Sequence, residues 1–335
     1  MALNYKSILF IDNSDSDFTG LDLNTTKVRG TESSLILLAE SFVKKNIYVK
    51  VLTEVDKDVL CNGVIYSNKK ANQEMNFDLC IAISNANLFN NISAKKKVVW
   101  SNSLQPFEKF LRKKQLIAFL KHKPEVVTMC NYQFNKRSYL TSMYGKHMIS
   151  LSVDPIFYNE KVDLEKIPEP YVLNNVRSHR NLDWLVDIWT KNFNNKNGKA
   201  KLFINPNLME YSKEMEQSQI YERKFGSRND LINELRNTRV FAYTGHKSDI
   251  WVLTVEEAVQ MCVPIVTFGI GSVEDRVIHN ETGFIVKNDE EFAKYLGLLL
   301  FDDEFYNRIR RKMFKRRGFK NWDLIADTWI KKFLS

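Results

Sequence analysis

Residues 241–266 read FAYTGHKSDIWVLTVEEAVQMCVPIV. The opening FAY is a short apolar run of the kind a fully buried strand presents. The polar GHKSD breaks it, LTVEEAVQM places apolar residues at helical spacing, and PIV begins a second buried run. Strand, loop, helix and strand in this order make the βαβ unit of a parallel sheet covered on both faces. Asp249 and Glu257 stand eight positions apart across the loop-to-helix junction. Two such carboxylates can grip a polyhydroxylated ligand, while the free N–H groups of the helix attract an anionic phosphate. A plainer reading of the same residues stays open. Thr254-Val-Glu-Glu257 fits the S/T-x-x-E capping box, and Asp249 can simply begin a turn.

The βαβ pattern repeats along the chain. Before it, apolar runs occur at 7–11, 48–52, 78–83, 98–100, 126–130 and 148–152, with amphipathic segments at 32–45, 108–121 and 133–144. Around it, strand patterns occur at 171–175, 201–204, 240–244, 265–268 and 284–286, and helical ones at 181–192, 228–236, 253–262 and 290–300. The stretch from Asp154 to Pro170 holds Pro155, Pro168 and Pro170 among charges, and it reads as a linker between two α/β domains. The tail, residues 302–333, reads as helical and strongly basic. Two doubly wound domains place a ligand crevice at the carboxyl ends of their strands and in the cleft between them.

Composition bounds the partners. With 335 residues the length favours two domains, and 44% hydrophobic and 12% aromatic content argues against disorder. A net charge of +9 favours anionic partners such as nucleotides or phospholipid headgroups. Nucleic acid is not expected, because no aromatic-interleaved recognition module is present. The cysteines, Cys61, Cys80, Cys130 and Cys262, form no C-x-x-C pair, and three lie in apolar runs. Buried reduced thiols and a reducing cytoplasm are the expectation. The first residues, MALNYKSILFID, read as a strand and not a leader, and no apolar stretch reaches the roughly 20 residues needed to span a bilayer. Membrane contact, if made, is therefore peripheral.

Further motifs bear on the site. The loop DNSDSDFTGLDLNTTKVRGTE feeds a helix, and Gly30 and Thr31 sit where backbone can approach a phosphate. An ordinary strand-to-helix connection reads equally well there. Asp15-Ser-Asp17 mimics a metal-binding D-x-D, but Phe18 and Asn24 occupy positions an EF-hand gives to Gly and Glu, so a solvated turn is expected and no metal. In YVLNNVRSHRNLDWLVDIW, Arg177 and Arg180 follow a strand and precede a helix, where guanidinium groups can clamp a diphosphate. Trp184, Leu185, Ile188 and Trp189 form an apolar stripe and read as core. Basic residues cluster at 95–97, 112–114, 121–123 and 308–320. Solvated faces explain these, and so does docking to an anionic membrane.

Together these stretches resemble a family. VRGTESSLILLAESFVKKNIYVKVLT is similar to the G-G-x-E loop, helix and second strand of GT-B glycosyltransferases of glycosyltransferase family 4. SLSVDPIFY resembles their N-G-V-D-P-x-x-F, and HRNLDWLVDIW their R-G-L-D-W-L-L-x-I-W. AYTGHKSDIWVLTVEEAVQMCVPIV resembles the segment with paired glutamates, and HNETGFIV the D-G-x-T-G-x-L-V. The resemblance implies two Rossmann-like domains facing across a cleft. It gives residues 1–155 to an acceptor-side domain, 156–170 to a linker, 171–315 to a nucleotide-sugar domain, and 316–335 to a helix crossing back to the first domain.

It also implies roles. The glutamate pair, seven apart in the family, falls on Asp249 and Glu257. Glu257 would hydrogen-bond the nucleotide ribose and Asp249 the donor sugar, with Ile250 beside it in the donor site. Arg180, and less closely Arg177, would neutralise the diphosphate, which Gly30 and Thr31 approach from the first domain. Asp249 is shorter by one methylene than the family's glutamate, and Cys262-Val263 stand where the family often has Ala-Gly. The family's histidine after strand 98–100 is missing, with Asn102 nearest on the acceptor side. The implied activity is retaining, metal-independent transfer of a sugar from a nucleoside diphosphate sugar to a glycan or lipid-linked acceptor, needing no cofactor. Surface polysaccharide or lipopolysaccharide synthesis in the cytoplasm, at the inner face of the membrane, is the implied setting. A degenerate GT-B module that binds a glycan or a partner transferase is the alternative.

Overall fold

SILFI, a serine followed by four apolar residues, is buried throughout and forms β1 (Ser7–Ile11). A strand buried on every residue has helices on both faces, and that is how the first half folds. The computed structural model describes residues 6–25, 28–70, 76–175, 181–193, 199–205, 213–223 and 226–335. The chain divides into two units. One comprises residues 1–152 and 320–335, the other residues 153–319.

In the first unit β1 is followed by α1 (Gly30–Val43), β2 (Tyr48–Thr53), β3 (Val59–Cys61), β4 (Val64–Asn68), β5 (Phe77–Ile83), β6 (Ala94–Trp100), α2 (Phe107–Arg112), α3 (Gln115–His122), β7 (Glu125–Thr128), α4 (Asn131–Lys136) and β8 (Lys146–Met148). The strands make one sheet in the order β3-β4-β2-β1-β5-β6-β7-β8, parallel except for β3–β4. β1 is central, with Ile8 opposite Val49 on one side and Leu79 on the other. The chain reverses its direction of strand addition between β1 and β5, where an open α/β sheet forms its crevice. The β3–β4 hairpin was not anticipated. Its turn, Asn62-Gly63, has φ of 49° and 80°, the left-handed pair that matches strand twist. The segment expected as one helix over 108–121 is two, because Lys114 is left-handed at φ 53°.

The C-terminal helix Trp322–Phe333 belongs to this unit and packs on α1. Its Trp329 is 1% exposed and lies edge-on to Trp100 at 5.9 Å. Lys45 pairs with Asp327 at 2.7 Å, and Lys6 donates to the Leu334 carbonyl at 2.7 Å. All four cysteines are free and buried.

The second unit opens with α5 (Pro155–Asn159), then β9 (Tyr171–Leu173), α6 (Leu182–Phe193), β10 (Lys201–Ile204), α7 (Lys213–Gln217), β11 (Ile220–Glu222), α8 (Arg228–Asn237), β12 (Val240–Tyr243), α9 (Leu253–Gln260), β13 (Ile265–Thr267), β14 (Gly283–Ile285), α10 (Asp289–Phe301) and α11 (Asp303–Phe314). Its sheet, all parallel, runs β11-β10-β9-β12-β13-β14. The reversal falls between β9 and β12. Leu185, Ile188 and Trp189 are buried in its core, and Trp184 packs against that core while donating to Asp289 at 3.1 Å.

The expected linker, 156–170, is part of this unit instead. Asp154 caps α5, accepting from the Ile156 amide at 3.0 Å, and Pro155 is its first residue. Phe157 is fully buried, and α5 packs against α9. Two arginines of the basic tail secure the segment. Arg317 donates to the carbonyls of Phe157 (3.2 Å), Tyr158 (3.2 Å) and Glu160 (2.6 Å), and Arg310 to those of Asp163 (3.0 Å) and Lys166 (2.9 Å). Prolines and charges that suggested a tether are a helix start and a carbonyl-lined seat for guanidinium groups. No described helix is long and apolar enough to cross a membrane.

Candidate functional site

In the second unit the crevice opens at the ends of β9 and β12. Asn174 follows β9, is fully buried, and donates through Nδ2 to the Ala242 carbonyl of β12 at 2.9 Å. Its Oδ1 has no partner among the described residues. A buried amide oxygen left unpaired costs roughly 1–3 kcal/mol, and such groups collect where ligands bind. Arg177 and Arg180, expected to hold the diphosphate, lie outside the described residues.

The loop after β12 carries Asp249, which is 3% exposed. Its Oδ2 accepts a short hydrogen bond from the Tyr243 hydroxyl at the end of the strand. Its amide donates to the His246 carbonyl at 2.9 Å, and its carbonyl accepts from the Ser272 amide at 3.0 Å. The loop after β13 thus locks against the loop after β12. Gly271 makes that approach possible. Its φ is 79°, and a Cβ there would lie 2.2 Å from the His246 oxygen. Ile250 is buried. His246, half-buried, has its ring Nδ1 2.6 Å from the Ser248 hydroxyl.

Glu257 lies in the second turn of α9. The helix starts after Val252, which makes no side-chain cap, so the capping-box reading of Thr254 and Glu257 fails. Its half-buried carboxyl is pushed up to about 7 by burial, with Asp154 adding to the shift and Arg228 and Arg223 opposing it. Arg228 opens α8 and forms a close ion pair with Asp154. Arg223, just past β11, is 8% exposed, pairs with Glu234 on α8 and donates to Asn205 Oδ1 at 2.9 Å. A carboxyl near neutrality beside two anchored guanidinium groups, at the ends of parallel strands, is suited to a phosphorylated, hydroxyl-rich ligand.

The first unit brings its own expected residues together. Asn102, just past β6, donates to Thr31 Oγ1 at 3.2 Å across to the start of α1. Its amide donates to Ser84 Oγ at 2.8 Å, and the same hydroxyl makes a close contact with its Oδ1. Gly30 is the first residue of α1, and its carbonyl accepts from Ser33 (3.0 Å) and Ser34 (2.8 Å). Among the described residues no group of three or more His, Cys, Asp or Glu side chains could hold a metal.

Sequence reasoning missed Asn174, Arg223 and Arg228. Ser227-Arg-Asn-Asp230 does carry a capping-box signature, which the structure forms, and it places Arg228 in a first helical turn. Arg223 was hidden because the three-residue β11 was not recognised.

Residues 174–316 match the family model for glycosyl transferases group 1. The match covers most of the second unit and every residue of the Glu257 cluster except Asp154. No curated protein matches the chain. Solved structures are similar along its length. The Anabaena protein HepE in complex with UDP-glucose has a TM-score of 0.69 at 14% identity, covering 98% of this chain and 99% of that one. Sucrose-phosphate synthase from Thermosynechococcus elongatus has a TM-score of 0.68 at 13% identity, covering 98% of both chains. WaaG, a glycosyltransferase involved in lipopolysaccharide biosynthesis, has a TM-score of 0.67 at 10% identity, covering 97% and 99%. Identities this low speak to fold. The fold class is the one expected, GT-B, with a doubly wound parallel sheet in each unit.

Proposed function

We propose that this chain is a retaining glycosyltransferase of family 4 type. It moves a sugar from a nucleoside diphosphate sugar to a hydroxyl of a glycan or lipid-linked acceptor, without a metal. One observation carries the reading: Glu257, within the matched segment, is a carboxyl near neutrality set among Arg228, Arg223 and Asp154. As a carboxylate it accepts two hydrogen bonds from vicinal ribose hydroxyls. Burial makes each of those bonds count for more than it would in water.

In such a transfer the anomeric carbon becomes oxocarbenium-like as the diphosphate departs. The departing charge is stabilised by Arg180 and Arg177 and by the amides of the loops after β12 and β13. Asp249 orders the loop that faces the donor sugar. Same-face attack, with the leaving phosphate accepting the acceptor proton, accounts for retention. Asn102 lines the acceptor side. The protein works at the inner face of the membrane, with its basic surfaces against anionic lipid, in surface polysaccharide or lipopolysaccharide synthesis.

Calorimetry with nucleoside diphosphates tests this. Glu257→Ala and Arg180→Ala each weaken binding about 100-fold or more, and unchanged affinity in both overturns the site. A second reading, a GT-B module without turnover, is favoured by the Tyr243 hydroxyl already engaging Asp249. Diphosphate release across a panel of nucleotide sugars separates the two.

A further inference from the structure

The first unit has a second concave feature, at the opposite end of its sheet from Asn102. Residues 95–97 open β6, so along an extended strand Lys96 lies about 20 Å from Asn102. Here Lys95, Lys96 and Lys97 of β6 meet Lys121, His122 and Lys123 at the end of α3, with Glu125 of β7 also in the lining, around a hollow of about 350 Å³. Two basic clusters well separated in sequence thus converge on one place.

Their charges are not balanced. Lys95 pairs with Asp78 at 2.8 Å, and Lys96 with Glu125 at 2.5 Å, whose other oxygen closely contacts His147 on β8. Lys97, Lys121 and Lys123 have no carboxylate partner among the described residues. Lys97 Nζ lies 3.2 Å from His122 Nδ1, and His122 Nε2 lies 3.0 Å from Asn90 Oδ1. The lysine donates to Nδ1, so the ring is neutral, and its Nε2–H donates to the asparagine. Lys121 also reaches Asn90 Oδ1, at 3.4 Å. The last-turn positions of Lys121 and His122 suit the negative end of α3. That does not account for a half-buried lysine from another strand donating to an imidazole.

We propose that this hollow binds a phosphate monoester dianion, held by Lys97, Lys121, Lys123 and protonated His122. Three ammonium groups and an imidazolium converge on a space that holds a phosphate and the first atoms of what it esterifies. A dianion offers three acceptor oxygens and the missing negative charge. Burial, followed by Lys97 and Lys121, holds His122 below its ordinary value. Burial, and then Lys121, does the same to Lys97. The remaining ionisable neighbours are the paired Asp78 and Glu125, His147 beyond Glu125, and the buried thiol of Cys80 on β5. Binding of the anion relieves the repulsion and draws a proton onto His122, so the affinity for the dianion itself rises as pH falls. This site is independent of the donor-site reading.

Inorganic phosphate is the first probe. In NMR titrations of the full chain, the His122 ring signal titrates about one pH unit higher with saturating phosphate than in sodium chloride of equal ionic strength. Counted per dianion, phosphate then binds about tenfold more tightly at pH 5.5 than at pH 8, and Lys97→Ala/Lys121→Ala weakens binding at least tenfold at pH 7. An unmoved His122 signal, or a shift that chloride reproduces, overturns the proposal, as does equal phosphate affinity in the double variant. Vesicles identify the source of the phosphate. Preference for phosphatidic acid over phosphatidylglycerol at matched surface potential, lost in the double variant, assigns it to a lipid headgroup. Equal sedimentation with both, beside an intact phosphate response, assigns it to a soluble ester.

Discussion

The two sheets form their crevices by the same topological rule and furnish them with different chemistry. At the end of β6 the first unit presents Asn102, Thr31 and Ser84, neutral groups that hydrogen-bond one another. Past β11 and along α8 and α9 the second unit gathers Arg223, Arg228, Glu234 and Glu257, with Asp154. A neutral network recognises hydroxyls and is nearly indifferent to pH. A charged cluster recognises phosphate and carries its own titration. The difference teaches which side of the reaction each sheet can serve, and it can be tested unit by unit.

The largest effect falls on the second unit's loops. Gly271→Ala forces a left-handed φ on alanine and a methyl group against the His246 carbonyl. We expect a loss of about 4 kcal/mol in denaturant unfolding, with amide exchange rising in the second unit and little changed in the first. Equal exchange changes in both units would break the contrast.

Next is the titration of Glu257. A carboxyl raised in the folded state binds its proton more tightly there than in the unfolded chain, so it lowers stability as pH rises from about 4.5 to about 7. Relative to wild type, Glu257→Gln gains up to about 3 kcal/mol between pH 4.5 and pH 8. A pH-independent difference in thermal denaturation would remove the titrating group from this site. Tyr243→Phe deletes a donor to buried Asp249 and should cost about 1–2 kcal/mol. It should reduce sugar transfer more than nucleoside diphosphate affinity, and the reverse would move Asp249 away from the sugar. Asn102→Ala is the mildest, at about 0.5–1 kcal/mol by thermal denaturation, and should raise the KM for acceptor with donor affinity unchanged.

Much of this could be read directly. Continuous apolar runs such as ILFI and FAY are legible because a strand buried on both faces has no polar alternation to obscure it. Thr31 at a helix start and Asn102 at a strand end were singled out from separate segments, and the structure joins their side chains. The failures have physical reasons. Asn62-Gly63 was a readable hairpin signal, passed over because β3 and β4 are short and interrupted by polar residues. Asp154-Pro155 is a helix cap that the surrounding charges disguised as a tether. Arg310 and Arg317 sit in a basic run, yet their guanidinium groups serve carbonyls far away in sequence, a pairing that no local pattern encodes. The half-buried setting of Glu257 likewise depends on Asp154, Arg223 and Arg228, contributed by three other segments.

The division of the chain sets an order of assembly. The second unit is contained in residues 153–319, while the first waits for residues 320–335. During synthesis the larger sheet emerges first but is completed last, because Trp329 must close over Trp100 after the whole intervening unit has been made. Closing so long a loop costs only a little more entropy than closing a short one. The exposure in the meantime matters more, since a nascent sheet with an uncovered tryptophan is a target for chaperones and proteases. A chain truncated after residue 319 should therefore show a protease-resistant second unit and a first unit that is still cleaved.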